Sequence, residues 1–107
     1  MRYRNKLHII ADILKAAENG SKKTRIMYLA NLSYHLLEKY LVKVIQADLL
    51  RHNGELYELT EKGRIFLEKF DDYSEKMSKI KKEIEIIKFE RQVLEQMCEI
   101  ISTADRK

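Results

Sequence analysis

The chain has 107 residues with 45% hydrophobic and 36% charged side chains, a formal net charge of +4 and a single cysteine. This length fits one compact domain, and the composition excludes a disordered chain. A single cysteine excludes an internal disulfide framework. The sequence contains no run of about 18 apolar residues, so no membrane span is predicted. Because there is no proline and only three glycines, the chain is predicted to be mostly helical.

The positive charge is concentrated in the N-terminal part of the chain. Residues 1–60 contain 10 Lys and Arg against 6 Asp and Glu, whereas residues 61–107 contain 11 of each. A basic head on a neutral tail is typical of a protein that binds a polyanion. The surplus is small, so charge alone leaves an ordinary solvated surface as an open interpretation.

Two helices are predicted in the first thirty residues. Apolar residues at helical spacing indicate a first helix over residues 6–18, and Gly20 is suited to end it. A short basic connection then leads to a second, short helix over residues 24–30. Both helices have one apolar side, which indicates that they pack on a shared core.

A third helix and a β-hairpin are predicted next. Ser33 is expected to cap the third helix, because its hydroxyl can accept a hydrogen bond from a free backbone N–H. Asn53-Gly54 lies between two short, partly apolar runs, which is a strong hairpin signal. The order of three helices and a hairpin predicts a winged helix-turn-helix head over residues 1–60.

The rest of the chain is predicted to form one long helix that Thr60 caps. Only Gly63 interrupts the helical pattern before Ser102-Thr103. A helix of about 43 residues extends roughly 64 Å and cannot fold back on a head of this size, so its apolar side needs a partner. We therefore expect residues 61–107 to form a dimerisation coiled coil.

Apolar residues recur every seven positions along this helix, which is the pattern of a coiled coil. Arg91 is the polar exception and is expected to lower stability and fix the register. Tyr73 and Met77 are close enough to the head that membership of its core stays an alternative. The predicted seam, at heptad positions a and d, consists of Phe70, Tyr73, Met77, Ile80, Ile84, Ile87, Arg91, Leu94, Cys98 and Ile101.

Charges beside the seam favour an antiparallel pair of helices. In a parallel pair Lys76 would meet Lys81 and Glu90 would meet Glu95, and both contacts are repulsive. An antiparallel pair places the basic half of one helix against the acidic half of the other. Each such pair contributes only a few tenths of a kcal/mol, but the signs agree.

DNA contacts are predicted from the geometry of winged helices, in which the third helix enters the major groove and the wing follows the backbone or the minor groove. The start of the second helix offers free N–H groups to a phosphate, and the N-terminus forms a basic arm. Each residue alone is compatible with an ordinary solvated surface. The predicted DNA-binding residues are Arg2, Arg4, Lys22, Lys23, Thr24, Arg25, Ser33, Tyr34, His35, Lys39, Lys43, Arg51 and His52.

Sequence selectivity is expected to be weak. The outward side of the third helix presents Glu38 and Val42 where a strong base reader often has Arg, Asn or Gln. Binding is therefore expected to be dominated by phosphate contacts and to be sensitive to salt.

No catalytic, metal or cofactor site is predicted. His8, His35 and His52 are scattered, without cysteine or carboxylate at ligand spacing. No nucleophile–base pair and no Gly-rich phosphate loop is present in the sequence, so an enzyme is not expected. Cys98 is expected to be a small hydrophobe of the seam.

Two segments, KTRIMYLANLSY at residues 23–34 and YELTEKG at residues 57–63, carry a family resemblance. They resemble archaeal winged helix-turn-helix DNA-binding proteins, and the chain is most similar to the small crenarchaeal chromatin proteins of the ten-kilodalton "a" type. The resemblance implies a dimer that joins two winged heads through an antiparallel coiled coil and binds double-stranded DNA. The chain departs from this family at Ala47-Asp48, where a glycine is common, and at His35 and Leu37, where charged residues are common.

Two functions of different kinds follow from the sequence. The first is a dimeric protein that binds double-stranded DNA in chromatin organisation or transcriptional regulation, bends or bridges DNA, and is cytoplasmic and nucleoid-associated, with no small-molecule ligand. The alternative is a coiled-coil interaction module whose head binds a protein, and RNA binding is a third possibility.

Overall fold

The computed structural model describes the backbone of residues 4–105 and the side chains of residues 4–99. Two predicted functional positions, Arg2 and the side chain of Ile101, therefore lie outside the described residues. The elements confirm the predicted fold class: mostly α, with one small hairpin and a long last helix. In chain order they are α1 (Lys6–Ala16), α2 (Lys23–Leu29), α3 (Tyr34–Gln46), β1 (Leu50–Asn53), β2 (Leu56–Leu59) and α4 (Glu61–Asp105).

The chain divides into two compact units, which we call the head (Met1–Asp72) and the tail (Tyr73–Lys107), and the part of α4 within the tail is the tail helix. The division lies inside α4, so the head extends beyond the boundary predicted at residue 60. The physical reason is that Leu67 and Phe70, both on α4, are buried in the core of the head.

The core of the head is built from one apolar side of each helix together with the hairpin. Burial of a large apolar side chain contributes about 1.5–3 kcal/mol. The largest fully buried side chains are Ile13, Leu14, Ile26, Leu37, Val44 and Leu50.

Hydroxyl caps fix where the helices α3 and α4 begin. The Ser33 Oγ accepts a hydrogen bond from the Leu36 N–H at 3.1 Å, and the Thr60 Oγ accepts one from the Gly63 N–H at 3.0 Å. Both caps satisfy a backbone donor that has no partner within its own helix. The predicted caps at Ser33 and Thr60 are thus confirmed, and the start of α3 is set by its own sequence.

The end of α3 is closed by an aspartate in the left-handed conformation. Asp48 has φ of +61°, its N–H donates to the Ile45 carbonyl, and the Leu49 N–H donates to the Val44 carbonyl at 2.8 Å. This pair of bonds is the Schellman arrangement that usually ends in glycine. Asp48 therefore adopts the left-handed conformation for which a glycine is common at this position, and the chain continues from it into the hairpin.

The hairpin differs by one residue from its prediction. Asn53 pairs with Leu56, so the first arm extends one residue beyond the predicted end at His52 and the two loop residues are Gly54 and Glu55. Gly54 has φ of +64°, and a left-handed residue at the first loop position is what a two-residue hairpin requires. The register is held from outside the hairpin, because Ser21 and Tyr57 exchange backbone hydrogen bonds of 3.0 and 2.8 Å.

Gly63 packs against the backbone where α3 leads into β1. A methyl group at this position would overlap the Leu49 carbonyl oxygen and would lie 2.6 Å from the Leu59 Cδ1. Because a backbone atom cannot move aside cheaply, Gly63→Ala is expected to lower the free energy of unfolding by about 1–3 kcal/mol. Urea unfolding followed by circular dichroism measures this change.

Arg64→Ala is the matched control, since Arg64 is exposed in the same helical turn. It is expected to change the free energy of unfolding by no more than about 0.5 kcal/mol. Equal stability of Gly63→Ala and the unsubstituted protein would show that the close contact with Leu49 does not exist in solution.

None of the helices within residues 4–105 combines the length and the apolar character needed to cross a bilayer.

Candidate nucleic-acid interface

Helix α3 has one buried and one exposed side. Leu37, Tyr40, Leu41 and Val44 are buried against the core. The opposite side, which we call the reading face, is exposed except for the half-buried Glu38. This division confirms the sidedness predicted for the third helix. The reading face consists of Tyr34, His35, Glu38, Lys39, Val42 and Lys43.

A polar cluster joins the start of α2 to the first turns of α3. The Lys23 Nζ lies 2.5 Å from the Glu38 Oε1, and the Tyr34 hydroxyl donates to the Glu38 Oε2 at 3.2 Å. The same Nζ lies 3.5 Å from the Tyr34 hydroxyl and 5.0 Å from the centre of the Tyr34 ring. Glu38 therefore holds a lysine and a tyrosine that were both predicted to bind DNA.

This cluster shifts the pKa values of its two charged members. The hydrogen bond from Lys23 lowers the pKa of the Glu38 carboxyl, and the same bond raises the pKa of Lys23. The stability contributed by Glu38 is lost as pH falls through its lowered folded pKa, and that contributed by Lys23 is lost as pH rises through its raised folded pKa. Around neutral pH both groups are charged and the pair is intact.

The start of α2 also lies beside the hairpin. The Lys22 Nζ is 3.9 Å from the Glu55 Oε2 in the hairpin loop, and the Arg51 Nε is 3.4 Å from the Glu58 Oε1 on the neighbouring strand. Exposed pairs of this kind contribute 0–1 kcal/mol, so a phosphate can displace the carboxylate. The ion pairs of α2 thus bring α2, α3 and the hairpin to one surface.

Three predicted cations have no carboxylate partner among the described residues: Arg25, Lys39 and Lys43. All three are exposed. Lys39 and Lys43 both lie over the Tyr40 ring, with Nζ 6.0 and 5.3 Å from its centre. Because no acid neutralises them, these side chains are the ones best able to take a phosphate.

The predicted DNA-binding residues other than lysine and arginine differ in their surroundings. Thr24 and His35 are exposed. The Ser33 Oγ is engaged as the cap of α3. The His52 ring stacks on Tyr57 with centres 4.2 Å apart and planes inclined by 4°, so it supports the hairpin.

Arg4 is a correction to the predicted basic arm. Its guanidinium donates to the Asp12 Oδ2 at 2.8 Å, to the Ala30 carbonyl oxygen at 2.6 Å and to the Asn31 carbonyl oxygen at 2.9 Å. The charge is balanced by Asp12, and the side chain ties the N-terminal segment to α1 and to the end of α2. We therefore remove Arg4 from the predicted DNA-binding set.

Phe70 is a correction to the predicted dimer seam. Phe70 is 8% exposed and makes a T-shaped contact with the His8 ring, with ring centres 5.1 Å apart, so it has little surface left for a partner. The Arg91 Nε lies 3.4 Å from the Glu95 Oε2 on the same helix. The remaining seam positions within residues 4–99 are exposed, namely Tyr73, Met77, Ile80, Ile84, Ile87, Leu94 and Cys98.

A second apolar row on the tail helix was missed by the heptad count. Ile86, Phe89 and Val93 are exposed and occupy heptad positions c, f and c, on a different side from the seam. The signal was present as spacings of three and four residues.

Within residues 4–105, no group of three or more His, Cys, Asp or Glu side chains is placed to hold a metal ion.

Three helices followed by a two-stranded wing define the winged helix-turn-helix class. Residues 3–78 match the family described as winged helix-turn-helix, so the chain belongs to this family. The family match supports the expectation that the chain is not an enzyme.

Two uncharacterised proteins of Methanocaldococcus jannaschii are similar in sequence. MJ0290 is 40% identical over 70 residues, which are 64% of this chain and 33% of that protein. MJ0287 is 39% identical over 62 residues, which are 57% of this chain and 64% of that protein. The aligned part thus spans a third of one relative and just under two thirds of the other. The family match and these archaeal relatives confirm the resemblance to archaeal winged-helix proteins.

Two solved structures share the fold. One is Sso10a-2, described as a DNA-binding protein from Sulfolobus solfataricus, with a TM-score of 0.63, 24% identity, and coverage of 97% of this chain and 99% of that one. The other is ZitR of Lactococcus lactis, described as a zinc-responsive MarR family member, with a TM-score of 0.56, 23% identity, and coverage of 99% of this chain and 78% of that one.

Proposed function

We propose that the protein binds double-stranded DNA as a homodimer and acts in transcriptional regulation or chromatin organisation. Helix α3 enters the major groove with its reading face, and the hairpin lies along the backbone, as in other winged helices. Arg25, Lys39 and Lys43 take phosphates without first losing an acidic partner among the described residues.

The observation that carries this proposal is the convergence of three elements. Lys23 reaches Glu38 on α3, and Lys22 lies close to Glu55 in the hairpin loop. The start of α2, the reading face and the wing therefore belong to one surface of the head. A surface of this kind matches the footprint that a winged helix places on a duplex.

The similar structures add support from their own descriptions. Sso10a-2 is described as DNA-binding, and its fold covers nearly the whole of this chain. The second neighbour is described as a metal-responsive regulator of the MarR family. A regulatory or an architectural role on DNA is consistent with both.

Dimerisation through α4 is the second part of the proposal. The tail helix presents Ile80, Ile84 and Ile87 to solvent at alternating spacings of four and three residues, and apolar side chains in this heptad pattern are stabilised by a second helix. A dimer carries two heads and thus two DNA contacts, which allows it to bend or bridge DNA. Such a protein would be associated with the nucleoid.

Equilibrium binding to unrelated duplexes across a salt series tests the proposal. Fluorescence anisotropy with three labelled duplexes of about 20 base pairs, at 50, 100 and 200 mM salt, is expected to give affinities within about tenfold of one another. The logarithm of the binding constant is expected to fall linearly with the logarithm of the salt concentration, because bound cations release counterions.

Two outcomes would contradict the proposal. Absence of binding to every duplex at 50 mM salt would discard DNA binding. Tight binding to a single duplex with little dependence on salt would discard the phosphate-dominated mode and indicate a specific base reader.

A further inference from the structure

We propose that Glu38 is the base-reading residue of this head, and that it selects cytosine by accepting a hydrogen bond from the N4 amino group in the major groove. This inference rests on the proposed DNA binding and names the group that supplies its limited selectivity. Glu38 is the only acidic residue of α3.

Its position on α3 places it among the residues that face a groove. Tyr34, Glu38 and Val42 are spaced four residues apart, so they follow one line along the exposed side of the helix. Glu38 is the middle of this line, and about half of its side chain is open to solvent. A carboxylate here meets base edges, whereas Lys39 and Lys43 flank the line and are placed for phosphates.

Both oxygens of the Glu38 carboxylate are anchored inside the head. Lys23 contacts Oε1 and the Tyr34 hydroxyl donates to Oε2. A carboxylate has about four acceptor positions, so each oxygen keeps a free lone pair after these bonds. The group is thus a preorganised acceptor, and it binds a donor without losing further rotamer freedom.

Base chemistry decides which donor fits this acceptor. Cytosine presents its N4 amino group alone, whereas guanine and thymine present carbonyl oxygens that repel a carboxylate. Adenine has an amino group, but its N7 acceptor lies beside that group and faces the second oxygen. Cytosine is therefore the base that Glu38 accepts with least repulsion.

The same geometry changes the role of Lys23. The charge of Lys23 is balanced by Glu38, so Lys23 orients the Glu38 carboxylate instead of binding a phosphate. Tyr34 acts in the same way through its hydroxyl. Both are positioning residues for Glu38.

Selection from a randomised duplex library, with the full-length protein, tests the inference. The unsubstituted protein is expected to prefer cytosine at one position of each site by roughly fivefold or more over guanine and thymine. Glu38→Ala is expected to lose this preference while still binding duplexes. Glu38→Gln is expected to move the preference toward adenine, because an amide can pair with both N6 and N7.

Glu18→Gln is the matched control, because it removes one exposed carboxylate of the head outside α2, α3 and the hairpin. It is expected to leave the base preference unchanged. A uniform gain in affinity for Glu38→Gln with an unaltered preference would show that Glu38 is only a counter-charge and would overturn the inference.

The two proposals fail in different ways. If the unsubstituted protein binds no duplex, DNA binding itself is wrong. If it binds duplexes but shows no cytosine preference, or if Glu38→Ala keeps that preference, only the role of Glu38 is wrong.

Discussion

Replacing Lys39 and Lys43 together with alanine is expected to weaken duplex binding by roughly 100-fold, because each charge-assisted contact to phosphate is worth about 1.5 kcal/mol, or about tenfold. Both lysines are exposed, and within the described residues neither has an acidic partner. The slope of the logarithm of the binding constant against the logarithm of the salt concentration should fall by about two per head. Anisotropy titrations across the salt series measure both changes.

The matched control for this pair is Lys81→Ala with Lys82→Ala. These two lysines are exposed on the tail helix, and replacing them removes the same charge as replacing Lys39 and Lys43. The control substitutions are expected to change the affinity for the duplex by less than about threefold, since these two lysines are not expected to contact a phosphate. An equal loss in the control would show that net charge, and not the reading face, governs binding.

Replacing Ile84 and Ile87 together with aspartate is expected to convert the proposed dimer to a monomer. Each isoleucine that the proposed dimer would bury contributes at least about 1.5 kcal/mol, and the dimer would lose four of them, which corresponds to roughly a ten-thousandfold weaker association. Sedimentation equilibrium at micromolar concentration measures the mass directly. The monomer should also bind DNA more weakly, because it offers one head in place of two.

Ile86→Asp is the matched control on the same turn of the helix. Ile86 is as exposed as Ile87 but lies off the seam, at heptad position c. The dimer is expected to survive this change. The opposite result would contradict the predicted seam: Ile86→Asp would give a monomer, and the double variant of Ile84 and Ile87 would stay a dimer. The interface would then be the second apolar row, which also contains Phe89 and Val93.

The helices and their starts were predictable from the sequence because their signals are local. Apolar spacing of three and four residues defined α1 and α3, and the hydroxyls of Ser33 and Thr60 marked where α3 and α4 begin. Such signals depend on neighbours within one or two turns, and the sequence contains all of these neighbours.

The features that escaped prediction depend on distant partners. In the sequence, Arg4 cannot be distinguished from the other cations of a basic N-terminal arm. Only the fold brings Asp12 and the carbonyl groups of residues 30 and 31 beside it. The strand register was not predicted, and it depends on Tyr57, which is held by backbone hydrogen bonds to Ser21, 36 positions earlier. Long-range pairing of this kind has no local sequence signature.

The boundary between head and tail was also hidden, because one periodic pattern serves two purposes. Phe70 packs inside the head, while Met77, seven residues later, is exposed on the tail helix. A periodic pattern shows which side of a helix is apolar but not which partner covers it.

For the candidate site, the sequence indicated which side of α3 is exposed but not how its charged side chains pair. The reading face is exposed as expected, and the cations of α2 lie beside it. Their pairing was not foreseen: Lys22, Lys23 and Arg51 each lie near a carboxylate, at Glu55, Glu38 and Glu58 respectively. Side-chain pairs across elements require the fold, so charge counts alone overstated the free positive charge.

Backbone amide shifts of the ¹⁵N-labelled full-length protein, recorded during titration with a duplex of about 20 base pairs, test the central claim most directly. The largest shifts are expected on the reading face, the start of α2 and the hairpin loop, including Arg25, Lys39 and Lys43. Largest shifts confined to the tail helix, or none on α3 while the duplex is bound, would contradict that claim.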